Sequence, residues 1–443
     1  MKKIFLKDEQ VVDYNYLISL FDNDIEEIEK IIEILLLNEY IKPKKNKKKV
    51  KSKSDLSYKI VFVGVLYVSK YLLISHPKFI NTELIEQRDM SLTIKVLLNY
   101  FDNDSVTTEQ ETEEGNINSF NYALKILQDF ETNGLYINER KITTMNNEGT
   151  IDWDLTINNI NPVLIDNIPF YLEYFINENH RDEFHHISII HKYIISKISQ
   201  DYSELIKLLN LRSHILIDTE TINLPSETII IQLLKKQITQ EYNTTKINTL
   251  NLIIKYLEYG LLEKDKNELI GISTNKFYYV WEYICKSYFY DKLEFKLSEL
   301  PIKIPDHINA EEKLKDIIEK PIWLINENEY SAPLTYIPDI VYIDDKNLII
   351  YDAKYYVYEF SKKVIYKAPG IESVSKQFFY ERIFDEFIIL NGLTFQNYFV
   401  FPVDEKSNKQ AGEVKLKGFE DFKNIKIIEL NYQEACIHLL DNH

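Results

Sequence analysis

Residues 340–343 and 348–351 are apolar runs flanking Asp344-Asp345-Lys346-Asn347, and this stretch constrains the fold more tightly than any other in the sequence. Asp and Asn beside a two-residue centre are turn formers, and the runs on either side are β-branched and aromatic, so the pattern predicts a β-hairpin. A turn centred between Asp345 and Lys346 pairs Ile343 with Leu348, Val341 with Ile350, and Asp339 with Asp352. Lys354, two residues past Asp352, falls on the same face because side chains alternate along a strand. Directly opposed side chains have Cβ atoms roughly 4.5–5.5 Å apart, and like charges placed there repel. The rest of the hairpin is apolar or aromatic, so the acid pair calls for a cation. Lys354 supplies one charge, and a divalent metal held by two carboxylates, waters and phosphate oxygens would supply the rest.

Those parts suit phosphodiester hydrolysis. A metal polarises a phosphoryl oxygen and activates water, and an adjacent lysine orients that water or meets the charge building in the transition state. Glu282, on a predicted helix over 277–289, is placed to reach the metal or its water shell. Gln377, on the helix after the hairpin, is placed to orient the water or touch a phosphate. The competing reading is a structural ion pair between Asp339 and Lys354 at a strand end, with Glu282 and Gln377 in surface or helix-packing roles. The second aspartate, the Pro338-Asp339 start and the Asp-x-Lys spacing weigh against it.

Charge limits how such a site finds a substrate. The 443-residue chain carries 69 acidic against 52 basic residues, a net charge of -17, and only five arginines. Duplex binding is dominated by phosphate neutralisation, so a local basic patch or a partner must bring the DNA. The run 42–53 holds eight lysines and reads either as a solvated linker or as a phosphate-contacting wing. Apolar runs are too short for a bilayer span, so no membrane is expected. No signal-peptide core follows the amino-terminal lysines. Cys285 and Cys436 lie in apolar surroundings without metal spacing, which suits buried thiols in a reducing cytoplasm.

The length allows two or three domains. Residues 1–40 read as helices by their apolar spacing, with Asp22, Asn23 and Asp24 placed to cap the second. Strands are predicted over 59–68 and 71–74, the helix-then-hairpin order of a winged-helix-like region spanning 1–80. Residues 81–270 read as a helix-rich α+β middle domain with an acidic loop at 107–114. His180, His185, His186 and His191 cluster there, but their spacing lacks the i, i+4 and HExxH patterns of zinc sites, and hydrogen-bonded or surface roles fit better. Residues 271–443 alternate helices and strands, and the whole reads as mixed α/β.

Pro338-Asp339 followed by Asp352-Ala353-Lys354 resembles the signature of the PD-(D/E)xK nuclease superfamily, whose core is a mixed sheet flanked by helices. The resemblance implies that Asp339 and Asp352 bind Mg2+ (Mn2+ as an alternative) and that Lys354 assists the attacking water; Glu282 is expected as a further metal ligand from its place on the preceding helix. More narrowly, residues 337–341, 352–356 and 369–380 resemble the LlaJI-type restriction endonuclease subunit, which is similar to McrC, the nuclease subunit of McrBC systems. Phe62-Val-Gly-Val65, Gly149-Thr-Ile-Asp-Trp153 and Tyr279-Val-Trp-Glu282 fit the same group. RecB-like relatives carry Gln-x-x-x-Tyr after the lysine; here Gln377 is followed by Tyr380 and then Glu381. The resemblance implies an endonuclease subunit of a phage-defence system that cuts double-stranded DNA beside a McrB-like AAA+ GTPase or ATPase. The chain has no GxxxxGK[ST] loop and so is not that motor. By the same resemblance, the amino-terminal and middle regions dock on the motor or contact DNA. A non-catalytic adaptor that stimulates the motor, or a stand-alone RecB-like exonuclease, are the alternatives.

Overall fold

The computed structural model describes residues 2–21, 25–44, 56–81, 85–86, 89–102, 119–146, 148–182, 185–266, 269–326, 328–405, 407–418 and 421–442. The chain is mixed α/β and divides into two compact units, residues 1–116 with 271–443, and residues 117–270. The predicted cap at Asp22–Asp24, the lysine run from residue 45 on, and the acidic loop 107–114 lie outside the described residues.

Where apolar spacing predicts helices from the start, the chain opens instead on strand β1 (Lys2–Lys7). Its alternation buries Ile4 and Leu6, too few residues for a clear period of two to emerge from the helical pattern that follows. Helices Tyr14–Leu20 and Ile25–Leu37 come next, the first capped by Asp13, whose carboxylate accepts from the Tyr16 N–H at 2.7 Å. Strands β2 (Val63–Val68), β3 (Tyr71–His76) and β4 (Ile270–Thr274) complete a sheet ordered β1-β3-β2-β4. Gly64 and Gly271 let β2 and β4 run against each other. A Cβ on Gly64 would sit 2.1 Å from the Ile272 carbonyl oxygen, one on Gly271 2.1 Å from that of Val65, and both glycines have positive φ. Only glycine permits both the approach and the conformation.

The rest of this unit forms a five-stranded mixed sheet between helices. Helix α1 (Phe277–Tyr288) buries Phe277, Val280, Trp281, Ile284 and Cys285 on one face. The hairpin β5 (Ile340–Ile343) and β6 (Asn347–Ala353) is antiparallel. Helices α2 (Ile371–Ile383) and α3 (Asp385–Asn391) lead to β7 (Thr394–Val403), which lies parallel to β6. Strands β8 (Lys409–Val414) and β9 (Ile425–Asn431) and helix α4 (Tyr432–Asp441) finish the chain, giving the order β5-β6-β7-β9-β8. One sheet face packs Val341, Ile343, Leu348, Ile350 and Phe395 against Tyr380 of α2, Phe387 of α3 and Phe384 between the two helices. Burying each such side chain is worth roughly 1.5–3 kcal/mol. On the other face Tyr351 stacks between Phe289 and Tyr398, with centroids 3.9 and 5.2 Å away. The Trp281 indole donates to the Val400 carbonyl at 3.3 Å, fixing α1 to β7. Both cysteines are free and buried.

Residues 117–270 pack helices Ser119–Asn133, His186–Asp201, Glu227–Ile238 and Thr244–Lys266 beside a sheet of strands Asn138–Met145, Phe175–Asp182 and Thr150–Ile151. In the histidine cluster, His191 is a core residue whose Nδ1 accepts from the Tyr136 N–H at 3.0 Å. Burial holds its pKa down to about 4, so it stays neutral. The His185 and His186 rings lie 4.1 Å apart. Among the described residues, no helix is long and apolar enough to cross a membrane.

Candidate active site

The hairpin turn is closed by Asp344, whose Oδ1 accepts from the Lys346 and Asn347 N–H groups at 2.8 and 2.7 Å. This side-chain cap sets the register, and the observed pairs are Ile343 with Leu348, Val341 with Ile350 and Ile340 with Tyr351. These are the pairs that the turn chemistry predicts. Asp339 directly precedes β5, and its Oδ2 accepts from the Ala353 N–H at 2.9 Å, so it reaches the β6 backbone beside Asp352. The Lys354 N–H donates to Val400 O at 2.8 Å, carrying the β6–β7 ladder one step past the strand and holding the lysine in alternation with Asp352.

Asp352 is almost fully buried, and its Oδ2 lies 2.6 Å from Lys354 Nζ. Burial would lower the lysine's pKa, but Asp352 and Asp339 outweigh it and hold the ammonium charged. Asp339 keeps some accessible surface while protein surrounds the rest of it. Burial first, and then the neighbouring Asp352 carboxylate, push its pKa well above the usual carboxylate range. Two carboxylates forced together like this repel unless a proton or a cation intervenes.

Glu282, on α1, completes the electrostatics from the side. Burial and then the charge of Asp339 raise its pKa, and Lys286, one helical turn on, pairs with it at 2.8 Å. Among the described residues, no three His, Cys, Asp or Glu side chains gather closely enough to hold a metal ion. The residues that could hold a metal are therefore the Asp339–Asp352 pair, whose hard oxygen donors suit a cation such as Mg2+ or Mn2+, while Glu282 is paired with Lys286.

The structure brings Asp339, Asp352 and Lys354 together and sets Glu282 within their field. The Gln377 amide is engaged with β7. The Gln377 Nε2 donates to Asn397 Oδ1 at 2.6 Å, and Asn397 Nδ2 donates back to the Gln377 carbonyl at 2.7 Å, clasping α2 onto β7. Its Oε1 is buried and has no partner among the described residues.

Two neighbours escape sequence reasoning. Tyr380 donates to the Ile337 carbonyl at 2.9 Å and so anchors the segment that presents Pro338-Asp339. Lys376 lies over the rings of Tyr336 and Tyr380 at 6.0 and 5.6 Å and acts electrostatically on both Asp339 and Glu282. Their i, i+4 spacing on a helix that follows the Asp-x-Lys strand was the available signal. Tyr355, next to Lys354, donates to Asp8 Oδ2 at 2.9 Å and accepts from the Lys78 N–H at 3.0 Å, tying the lysine's neighbour to the amino-terminal segment. No local pattern announces that bond.

The family model described as the LlaJI restriction endonuclease matches residues 62–433. A component of the type II restriction enzyme BsuMI, YdjA of Bacillus subtilis (strain 168), is 26% identical over 406 residues, covering 87% of this chain and 80% of that one. A solved assembly of Thermococcus gammatolerans McrB AAA+ hexamers with bound McrC contains a chain 11% identical, with a TM-score of 0.41 over the full length of both chains. The Thermococcus gammatolerans McrBC complex gives 11% identity and a TM-score of 0.27 over 58% of this chain and 80% of that one.

Proposed function

The chain belongs to the LlaJI restriction endonuclease family, and we propose that it is a Mg2+-dependent subunit that hydrolyses phosphodiester bonds of double-stranded DNA in a restriction system. The observation that carries this reading is the hairpin register, which sets Asp339 beside Asp352 with Lys354 Nζ at 2.6 Å. On this reading the five-stranded sheet and its flanking helices are a PD-(D/E)xK nuclease domain.

Asp339 and Asp352 would hold the metal, which would supply a positive centre for the phosphoryl oxygens and for the attacking water. Lys354 Nζ directs a water at phosphorus and meets the negative charge that gathers on the phosphoryl oxygens. The water's oxygen bonds to phosphorus as the opposite P–O bond breaks, leaving a phosphate on one strand end and a hydroxyl on the other. Glu282, which the structure pairs with Lys286, would add a further carboxylate beside such a metal, and Gln377 keeps α2 seated so that Tyr380 can hold the Asp339 segment.

A net charge of -17 and the lack of a GxxxxGK[ST] loop support a separate nucleotide-driven partner of the McrB-like AAA+ class that delivers the DNA. In residues 117–270, Trp153, Ile157, Leu164, Ile168 and Leu172 are all at least half exposed, which suits a surface that a protein partner covers. The test is cleavage of covalently closed and linear duplex by the chain with its partner, nucleotide and Mg2+, against the same mixture in chelator. Asp339→Ala, Asp352→Ala and Lys354→Ala should each lower cutting by about a thousandfold or more, the scale of losing a main electrostatic contributor. Undiminished cutting by any of them would sink the site assignment. An adaptor would instead keep stimulating the motor with no cutting by the wild type, and an exonuclease would spare closed circles.

A further inference from the structure

Between Lys354 and α2 the chain makes a second hairpin, strands Glu359–Ser361 and Val364–Tyr366, paired Glu359 with Tyr366 and Ser361 with Val364. Every residue from 359 to 367 is exposed, on both faces, with Phe360 at 75%. A two-stranded hairpin with neither face covered is marginal in water. Its base is nevertheless fixed: the Tyr358 ring packs edge-on to Phe401 and its hydroxyl bonds Glu429. The element thus begins a few residues after Lys354 and is anchored at its base to β7 and β9.

Its charge singles out the ligand. From residue 354 to 376 the chain holds five lysines and two glutamates, in a protein whose net charge is -17. Lys362 and Lys363 form the tip and make no ion pair among the described residues, while Lys367 pairs with Glu359 at 2.6 Å near the base. The hairpin of strands Ile322–Ile325 and Asn328–Ser331, which precedes the site, is equally exposed but carries Glu329 and no lysine. Exposure alone therefore does not mark a polyanion site; the lysines do. A two-stranded ribbon fits the DNA major groove, and lysines at its tip reach phosphates on either side.

We propose that the hairpin of residues 359–366 grips duplex DNA next to the scissile bond, with Lys362 and Lys363 on phosphates and Phe360 and Tyr366 against the groove. This rests on the nuclease reading of the adjacent acid pair. It gives the acidic chain the local basic patch that its overall charge demands.

The test uses the full-length chain, a short fluorescein-labelled duplex and fluorescence anisotropy in chelator, from low to high KCl. Lys362→Glu/Lys363→Glu should lower the slope of log affinity against log salt by about 2, since each phosphate contact contributes about 0.9. At low salt its affinity should fall at least tenfold, and Lys362→Arg/Lys363→Arg should restore both. Asp352→Asn should lose cleavage while still binding the duplex. Equal slopes for wild type and the Glu variant, or no binding by the wild type at low salt, overturn the grip. So does a Glu variant that binds DNA normally but no longer associates with its protein partner. If Asp352→Asn still cuts, the nuclease reading fails while the binding result stands by itself.

Discussion

Tyr380→Phe removes one hydroxyl and leaves the ring, so it tests what the bond to Ile337 does for the acid pair. The bond spans 2.9 Å between a buried tyrosine and a carbonyl two residues before Asp339. A buried hydrogen bond is worth about 0.5–1.5 kcal/mol net, and stranding a buried acceptor costs about 1–3 kcal/mol. Ile337 is 43% exposed, so water can satisfy its carbonyl once the hydroxyl is gone. The stability loss should therefore sit at the low end, about 1 kcal/mol. The catalytic loss should be larger, because Tyr380 sets the position of Asp339 rather than touching substrate. Displacing a reacting group by about 1 Å costs on the order of 100-fold, and a relaxed segment should cost about 10- to 100-fold. Urea unfolding measures the first, and single-turnover cleavage across a Mg2+ titration measures the second. The variant should need more Mg2+ to reach half its own maximal rate, which a purely structural weakening would not produce. A wild-type Mg2+ dependence and rate with about 1 kcal/mol lost would refute the positioning role; a loss above about 3 kcal/mol would refute the claim that water replaces the hydroxyl.

Two further outcomes follow from the packing. Gly64→Ala puts a methyl 2.1 Å from the Ile272 carbonyl at a positive φ, so β2 and β4 must separate. The protein should lose more than about 3 kcal/mol, read as loss of soluble full-length chain or a collapsed urea midpoint, whereas Gly260→Ala, in the helix Thr244–Lys266 with nothing within 4 Å, should cost nothing. The His191 pKa falls from 6.5 to about 4 on folding. A group whose folded value is depressed contributes stability that is complete above about pH 6.5 and drains away as pH falls towards about 4, a total of about 3 kcal/mol. His191→Asn retains an acceptor for the Tyr136 N–H, and the difference between its urea stability and the wild type's should change by that amount across the window.

The central hairpin was legible because everything that sets it is local. Asp344 and Asn347 fix the turn, the turn fixes the register, and the register places Asp339 near Ala353 and Asp352. The i, i+4 spacing of Glu282 and Lys286 carried an equally local signal for their pairing, which the metal-ligand expectation for Glu282 passed over. What the chain does over long separations was not legible. Strand β1 is only six residues long and pairs in parallel with a strand about seventy residues on, so its signal is swamped by the helices beside it. Gln377 carries the right chemistry for a phosphate contact, but Asn397 claims its amide, and no spacing rule reveals that. The exposed hairpin at 359–366 drew no expectation from the sequence, because its lack of cover is a property of the packed chain.

The bond from Tyr355 to Asp8 joins residues 347 positions apart, and its consequence concerns the order in which a ribosome delivers the chain. Residues 1–116 emerge first yet must wait through the whole of 117–270 before β4 and then the Asp-x-Lys strand arrive to pack with them. A nascent or prematurely terminated polypeptide lacks one side of that contact, and with it the framework around Lys354. The framework around the proposed site thus closes only after residues 270–355 have been made, so a fragment that stops within residues 117–270 lacks the acid pair altogether.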